Sequence, residues 1–289
     1  DDSFQKYNIE DGYFQTKKKL TPAQKEDIEK SDVKVYENFY IEQKLTNGST
    51  IRFFKNRKEV DKVCLMKGKM PKKSGEIAVD RMYADNNELK VGDTVKSRKK
   101  TFRITGLVAL SDYSALFQNN NDTMFDAVKF GVAIVTDKDF EALNQVKVQY
   151  NYAWIYDKKP ATEKKEKKMA EDLMEDMADV VTIESFVPQY QNQSIHFTGD
   201  DMGSDRAMIV MLLYIVMAIL AFVFGITISN TIRKEAGVIG TLRASGYTRR
   251  ELILHYMALP VVITLIGALV GNILGYTVLK QEVTAFRHM

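Results

Sequence analysis

The chain has 289 residues, 27% of them charged and 45% hydrophobic, with a formal net charge of +3 and a single cysteine, Cys64. That balance is ordinary for a globular fold and too polar for a chain lying wholly in a bilayer. One cysteine excludes a disulfide-stapled secreted scaffold, and a charge so near neutrality gives no reason to expect a nucleic-acid partner.

The sequence opens in polar text at Asp1-Asp2-Ser3, without a signal peptide or an apolar run. Thr21 followed by Pro22 predicts a helix over Pro22–Ser31, with threonine as N-cap and proline at the first helical position. Val33–Leu45 is rich in Val, Tyr, Phe and Ile. Asn47-Gly48 turns it into Thr50–Phe54, a hairpin signal. A second β-rich block follows. Strands are predicted at Glu76–Val79, Thr94–Lys96 and Thr101–Val108, a short helix at Arg81–Asn87 and a turn at Lys90–Asp93. Phe130–Thr136 reads as a strand and Asp137–Leu143 as a capped helix. Residues 163–179 repeat Met169, Ala170, Leu173, Met174, Met177 and Ala178 at helical spacing, with Lys, Glu and Asp opposite. Acidic residues crowd that polar face, which favours a helix packed on a sheet over one lying on a membrane. The order points to an α+β domain over 1–188, a βα part carrying an inserted β-rich subdomain. Polar residues 189–206 read as a stalk.

Two apolar runs follow, 207–229 and 256–279, and neither contains Lys, Arg, Asp or Glu. About 20 residues at about 1.5 Å rise span the bilayer core of about 30 Å, so both read as transmembrane helices. The segment between them, 230–255, carries Arg233, Lys234, Arg243, Arg249 and Arg250. The outer flanks carry Arg206, Lys280 and Arg287, with Asp200, Asp201 and Asp205 beside the first run. Positive-inside counting puts the linker in the cytoplasm, the large domain outside, and 280–289 as an outer tail. An outer domain without an export signal implies a piece of a longer protein whose N-terminal anchor precedes it.

Within the linker, Val238, Ile239 and Leu242 form a short apolar helical face. Gly246 stands where a helix needs a left-handed cap, and Thr248 precedes Glu251 at capping-box spacing. From Arg249 to Leu279 a helix would measure about 46 Å, about 15 Å more than the hydrocarbon core, so it should project into the cytoplasm, bent at Pro260. Physics alone leaves two readings open, a lever helix and a plain re-entry turn, although a turn needs only a few residues. In the second run Gly267, Gly271 and Gly275 recur every four residues, a small-residue face that lets two helices approach closely, and Asn272 could add an interhelical hydrogen bond.

The stretch from Arg233 to Ile253, followed by a glycine-rich span, resembles the FtsX-like permeases of ABC transporters. The residues that carry the likeness are Glu235, Gly237, Ile239, Leu242, Arg243, Ala244, Gly246, Arg249 and Arg250. Gly75–Asp80, Leu89–Val95 and Phe102–Val108 are similar to the MacB-type extracellular core domain that accompanies these permeases. The resemblance implies a coupling helix between the second and third spans of the parent protein, with Gly240 among its ATPase-coupling residues. It also implies a permease dimer or second permease half and a separate cytoplasmic ABC ATPase. The chain lacks a first and a fourth span of such a permease, so it is not expected to transport alone.

No GxxxxGK[ST] loop occurs, so ATP is expected to bind a partner, and no cofactor is expected here. His196, His255 and His288 are scattered, without an HExxH or Cys/His ligand set, so no metal or catalytic residue is assigned. The acidic pairs Glu10-Asp11 and Asp200-Asp201, and the lysines at 17–19, 96–100 and 164–168, read as solvated surface. The expected function is a non-catalytic permease subunit that converts ATP hydrolysis into motion of the outer domain, for export of or resistance to peptides, lipoproteins or antimicrobials, or for mechanotransmission. The alternative is a membrane-anchored sensor or scaffold that binds an outside ligand without moving cargo.

Overall fold

The computed structural model describes residues 2–97, 100–143 and 147–279. The chain divides into two compact units, Asp1–Gly203 and Ser204–Met289.

The first unit begins with α1 (Asp2–Tyr7), β1 (Gly12–Thr16), α2 (Pro22–Glu29) and β2 (Val33–Glu37). It closes with β10 (Tyr150–Tyr156), α5 (Glu163–Val180) and β11 (Ile183–Pro188). These four strands make one antiparallel sheet in the order β11-β1-β10-β2. Two βα units thus interleave in the split arrangement. The helices cover one face of this sheet. Ile28 of α2 and Ala170, Leu173 and Met177 of α5 are buried, and most of them join Phe14, Val33, Val35, Tyr152 and Trp154 in one core. Thr21 caps α2 in a complete capping box with Gln24, and Thr162 caps α5 by accepting the Lys165 N–H. Gly12 is required by close approach: a Cβ there would lie 2.2 Å from the Trp154 ring.

Between β2 and β10 the chain builds a second sheet. Its elements are β3 (Tyr40–Lys44), β4 (Thr50–Lys55), β5 (Val63–Gly68), β6 (Glu76–Asp80), α3 (Arg81–Asn86), β7 (Thr94–Lys96), β8 (Thr101–Leu110), β9 (Phe130–Val135) and α4 (Asp137–Leu143). The strand order is β3-β4-β9-β6-β8-β5, with β7 paired to β8. The β4·β9 and β6·β8 pairs are parallel and the rest antiparallel. Strands buried on both faces read as continuous apolar text, as in Phe130–Val135, where every residue is buried. A second core forms here around Phe53, Ile77, Tyr83, Phe102, Ile104 and Ile134. The mixed α/β domain with an inserted β-rich part is therefore the observed architecture.

One predicted strand differs. Val33–Leu45 is two strands in two sheets, β2 and β3, because Asn38 turns the chain between them. Its N–H bonds the Asn151 carbonyl at 2.9 Å, and its buried amide donates to Asp61 at 3.3 Å. The hairpin at Asn47-Gly48 joins β3 to β4. The segment 189–206 is a 3-10 turn, Gln189–Gln191, and then the start of α6 (Gln193–Lys234).

The second unit holds the remainder of α6, then α7 (Ala236–Ala244), α8 (Arg249–Leu274) and a π-helical turn, Gly275–Leu279. Asp205–Lys234 and Arg249–Thr277 are long and apolar enough to cross a membrane, and the apolar stretch of neither is buried within the chain. Pro260 lies inside α8. The tail 280–289, with Lys280, Arg287 and His288, lies outside the described residues, as do residues 98 and 99 of the basic stretch at 96–100.

Candidate functional site

The linker between the spans is built as three helices separated by two short breaks, the second of them capped on both sides. Glu235 has φ −95° and ψ 12°, interrupting the helical path between α6 and α7. At the other end α7 closes in a Schellman motif. Gly246 takes φ 101°, its N–H bonds the Arg243 carbonyl at 3.2 Å, and the Tyr247 N–H bonds the Leu242 carbonyl at 3.1 Å. Thr248 and Glu251 then form a full capping box, with the Thr248 N–H donating to the Glu251 carboxylate at 2.7 Å and the Glu251 N–H to the Thr248 hydroxyl at 3.4 Å.

These caps fix which face of α7 turns outward. Glu235, Ile239 and Leu242 share one side of the helix and are half-buried. Val238 stands apart from that apolar face at 58% exposed, because it falls on the flank of the stripe. The opposite side carries Gly237, Gly240, Thr241 and Ala244, all exposed, and added Cβ atoms on the two glycines would meet nothing within 4 Å. The outward face of α7 is therefore made of small residues, two of them glycines. Arg243, Arg249 and Arg250 are exposed beside it.

One tie was not legible in the sequence. The Tyr256 hydroxyl of α8 donates a hydrogen bond to the Glu235 carboxylate, joining the start of α7 to α8. Leu252 of α8, one turn earlier, is buried at 8% exposed. The signal was the spacing of Leu252 and Tyr256, four apart and so on one helix face, within a run that otherwise reads only as apolar.

Gly267, Gly271 and Gly275 lie along one face of the second span, with nothing within 4 Å of where a Cβ would stand. Asn272 bonds the Ala268 carbonyl of its own helix at 2.9 Å, so among the described residues it makes no interhelical bond.

In the first unit the pair Glu10-Asp11 is not solvated surface. Both are buried, at 2% and 6% exposed, because the loop before β1 is folded under the strands. Asp11 accepts the Tyr156 N–H at 2.9 Å and pairs with Lys159. Glu10 belongs to a buried knot in which Arg57 holds both oxygens of Asp112 at 2.7 Å, and Asp61 accepts the Glu10 N–H at 2.9 Å. Burial, then the charges of Asp61 and Asp112, push the Glu10 carboxyl well up, and burial with the Asp112 charge raises Asp61 to about 7. Three carboxylates face one guanidinium here, and their mutual repulsion favours the protonated forms of Glu10 and Asp61. Asp61 is 0% exposed, whereas Asp112, at 6% exposed, borders the cleft between the two sheets. The side chains of Asp200 and Asp201 lie outside the described residues, whereas Lys17–Lys19 and the lysines at 164, 165, 167 and 168 are exposed. Lys100 pairs with Asp139. His196 lies in α6 and His255 in α8, and among the described residues no group of acidic, His or Cys side chains is arranged to hold a metal ion.

Residues 210–281 match the family model described as FtsX-like permease C-terminal, which takes in both spans and α7. No curated protein matches the chain. Among solved structures it is similar to the periplasmic region of MacB from Actinobacillus actinomycetemcomitans. The two share 13% identity over 60% of this chain and 87% of that one, with a TM-score of 0.32. It is also similar to the extracellular domain of the noncanonic ABC-type transporter YknZ from Gram-positive bacteria, at 12% identity over 61% of this chain and 97% of that one, with a TM-score of 0.31. The similarity to the permease model is confined to the span segment, and together with the two long apolar helices it makes the chain a membrane protein. The large α/β domain lies outside the cell.

Proposed function

We propose that the chain is the permease subunit of an ABC transporter in which α7 docks on a separate cytoplasmic ATPase, and α6 and α8 carry the resulting displacement to the outer domain. The observation that supports this reading most is the construction of α7. A re-entry turn needs neither a Schellman cap, nor a capping box, nor a hydrogen-bonded tie to the next span. A short helix with both ends fixed and a face of small residues outward suits a groove on a partner, because small residues let two surfaces approach closely. In this reading Glu235 and Tyr256 set the angle of α7, while Ile239 and Leu242 hold it against its own neighbours. Gly237, Gly240 and Ala244 meet the partner, and Arg243, Arg249 and Arg250 flank that contact. The permease works as a dimer or with a second permease half.

The test is co-purification of an ATPase with the protein from its native membrane. Gly240→Trp and Ala244→Trp fill the outward face without touching the inward one and should abolish co-purification at unchanged membrane levels. Tyr256→Phe, which removes the tie alone, should weaken it and uncouple ATP hydrolysis from movement of the outer domain. An ATPase that stays bound through both tryptophan substitutions would sink the docking face, and absence of any bound ATPase would favour the sensor or scaffold reading.

A further inference from the structure

The two sheets of the first unit do not pack core to core. Their apolar residues form two separate clusters, and between them lies a cleft of about 380 Å³ with a polar lining. The floor of the cleft is one face of the four-stranded sheet. Ser185 of β11, Gln15 of β1 and Asn151 of β10 stand in register across three strands, so their side chains share that face, and Tyr13 stands two residues along from Gln15. The roof comes from β3, β4 and the chain after β8, with Tyr40, Arg52, Tyr113 and Gln118.

Both charged groups of the lining are already committed. Arg52 spends its guanidinium on Glu42 at 2.6 and 2.9 Å, the Tyr113 hydroxyl at 2.6 Å and the Gln118 carbonyl at 2.7 Å. Asp112 gives both oxygens to Arg57. Neither an anion nor a cation would find a free counter-charge. The amides are less occupied. Asn151 is 7% exposed and its buried Oδ1 has no hydrogen-bond partner among the described residues, a condition that costs free energy until something donates to it. Gln15 uses only its amide nitrogen, on the Tyr40 hydroxyl at 3.1 Å, which leaves its oxygen open to the cleft.

We infer that this cleft binds a neutral saccharide. Side-chain amides present a donor and an acceptor in one plane, and each sugar hydroxyl is itself both, so neighbouring hydroxyls pair with Gln15 and Asn151 without any charge. The half-buried rings of Tyr13 and Tyr113 offer faces for the C–H side of a pyranose. The volume lies within the range of about 300–1,000 Å³ usual for small-ligand sites. An extended peptide is the less suitable ligand. It would add to the backbone edge of β11, whereas the unsatisfied acceptor sits on β10, a central strand.

The cleft's chemistry is independent of whether α7 docks on an ATPase. Isothermal titration of the full chain in lipid nanodiscs with cellobiose and N,N′-diacetylchitobiose tests it, with glucose 6-phosphate and acetyl-trialanine-amide as anionic and peptide probes. Saturable binding of a neutral disaccharide, one per chain, is expected. Asn151→Ala should weaken it about tenfold, the effect of one lost buried hydrogen bond. Its Oδ1 has no partner among the described residues, so the circular dichroism spectrum should not move and the melting temperature should not fall. Gln15→Ala should weaken binding as well. The inference is overturned by the absence of saturable binding to either disaccharide, by binding that ignores Asn151→Ala, or by tighter binding of the phosphate or the peptide. ATPase co-purification is unaffected by any of these outcomes.

Discussion

The outer domain and the two-span segment solve opposite problems with the same chain. The outer domain buries Phe14, Phe53, Phe102, Tyr152 and Trp154 at 1% exposed or less and closes around two cores. The span segment leaves Leu212, Leu213, Phe222, Leu265 and Leu269 between 56% and 71% exposed, and its buried residue among those described is Leu252. The first region carries its own solvent-excluded interior. The second has none among the described residues, and lipid supplies its apolar surroundings, since lipid tails are as apolar as leucine. Its own bonds are spent instead on helix ends and on the Glu235–Tyr256 tie, which fix the shape of the linker rather than a core.

The sharpest way to break this comparison is to remove one large side chain from each region. Trp154→Ala should cost the outer domain about 3–5 kcal/mol, because it empties the space over Gly12 and beside Phe186. Leu265→Ala in α8 should stay within about 0.5 kcal/mol, as for an exposed position. Chemical unfolding of the full chain in detergent, followed by circular dichroism, checks both. Equal losses would mean the span segment holds an interior that the chain does not display.

A second contrast is in pH response. Burial and the neighbouring Asp112 hold the Asp61 carboxyl up at about 7, against Arg57, with Glu10 raised beside it. An unfolded aspartate loses its proton near about 3.9. Between those values the folded domain keeps a proton that the unfolded chain has released, so stability falls as pH rises from about 4 to about 7. The melting temperature of the outer domain should therefore be higher at pH 5 than at pH 7.5, and Asp61→Asn should flatten that slope. A melting temperature that rises steadily from pH 5 to pH 7.5 would count against a protonated knot.

The smallest effect concerns the linker caps. Thr248→Ala removes a side-chain acceptor and Gly246→Ala forces a Cβ into the left-handed region, each costing about 1 kcal/mol locally. Amides of α7 and the first turn of α8 should exchange faster with solvent, while those of β9 and β10 remain unchanged. Equal acceleration in the outer strands would erase the distinction between the regions.

Legibility in the sequence followed the locality of the physics. The spans, the caps at Thr21, Gly246 and Thr248, the hairpin at Asn47-Gly48 and the helix of residues 163–179 are set by residues within a turn or two of one another, and each reads directly. The order of βα parts around a β-rich insertion was legible as well. What depends on distant partners was not. Asn38 ends β2 through Asn151 and Asp61, far away in the chain, so nothing nearby marks the break. Glu10 and Asp11 look like surface because carboxylates usually are, and only Arg57, Asn192 and Lys159 explain their burial. Gln15, Asn151 and Ser185 are unremarkable polar residues until three strands bring them into register. The coupling segment was assigned from resemblance and local signals, yet the orientation of α7, with glycines outward and Val238 off the stripe, emerges only from its packing.

The crossing between the two sheets has one more consequence. The inserted sheet leaves after β2 and returns before β10, and these two points are hydrogen-bonded neighbours. Asn38 meets Asn151, and Tyr40 and Gln149 exchange backbone bonds at 3.3 and 2.9 Å. Entry and exit sharing a single rung make the inserted lobe a cassette. A lineage could lengthen, exchange or lose everything from β3 to α4 and reseal the gap with a tight turn, leaving the split βαβ sheet intact. Diversity among such outer domains would then concentrate in one graftable block, on the side of the cleft that forms its roof.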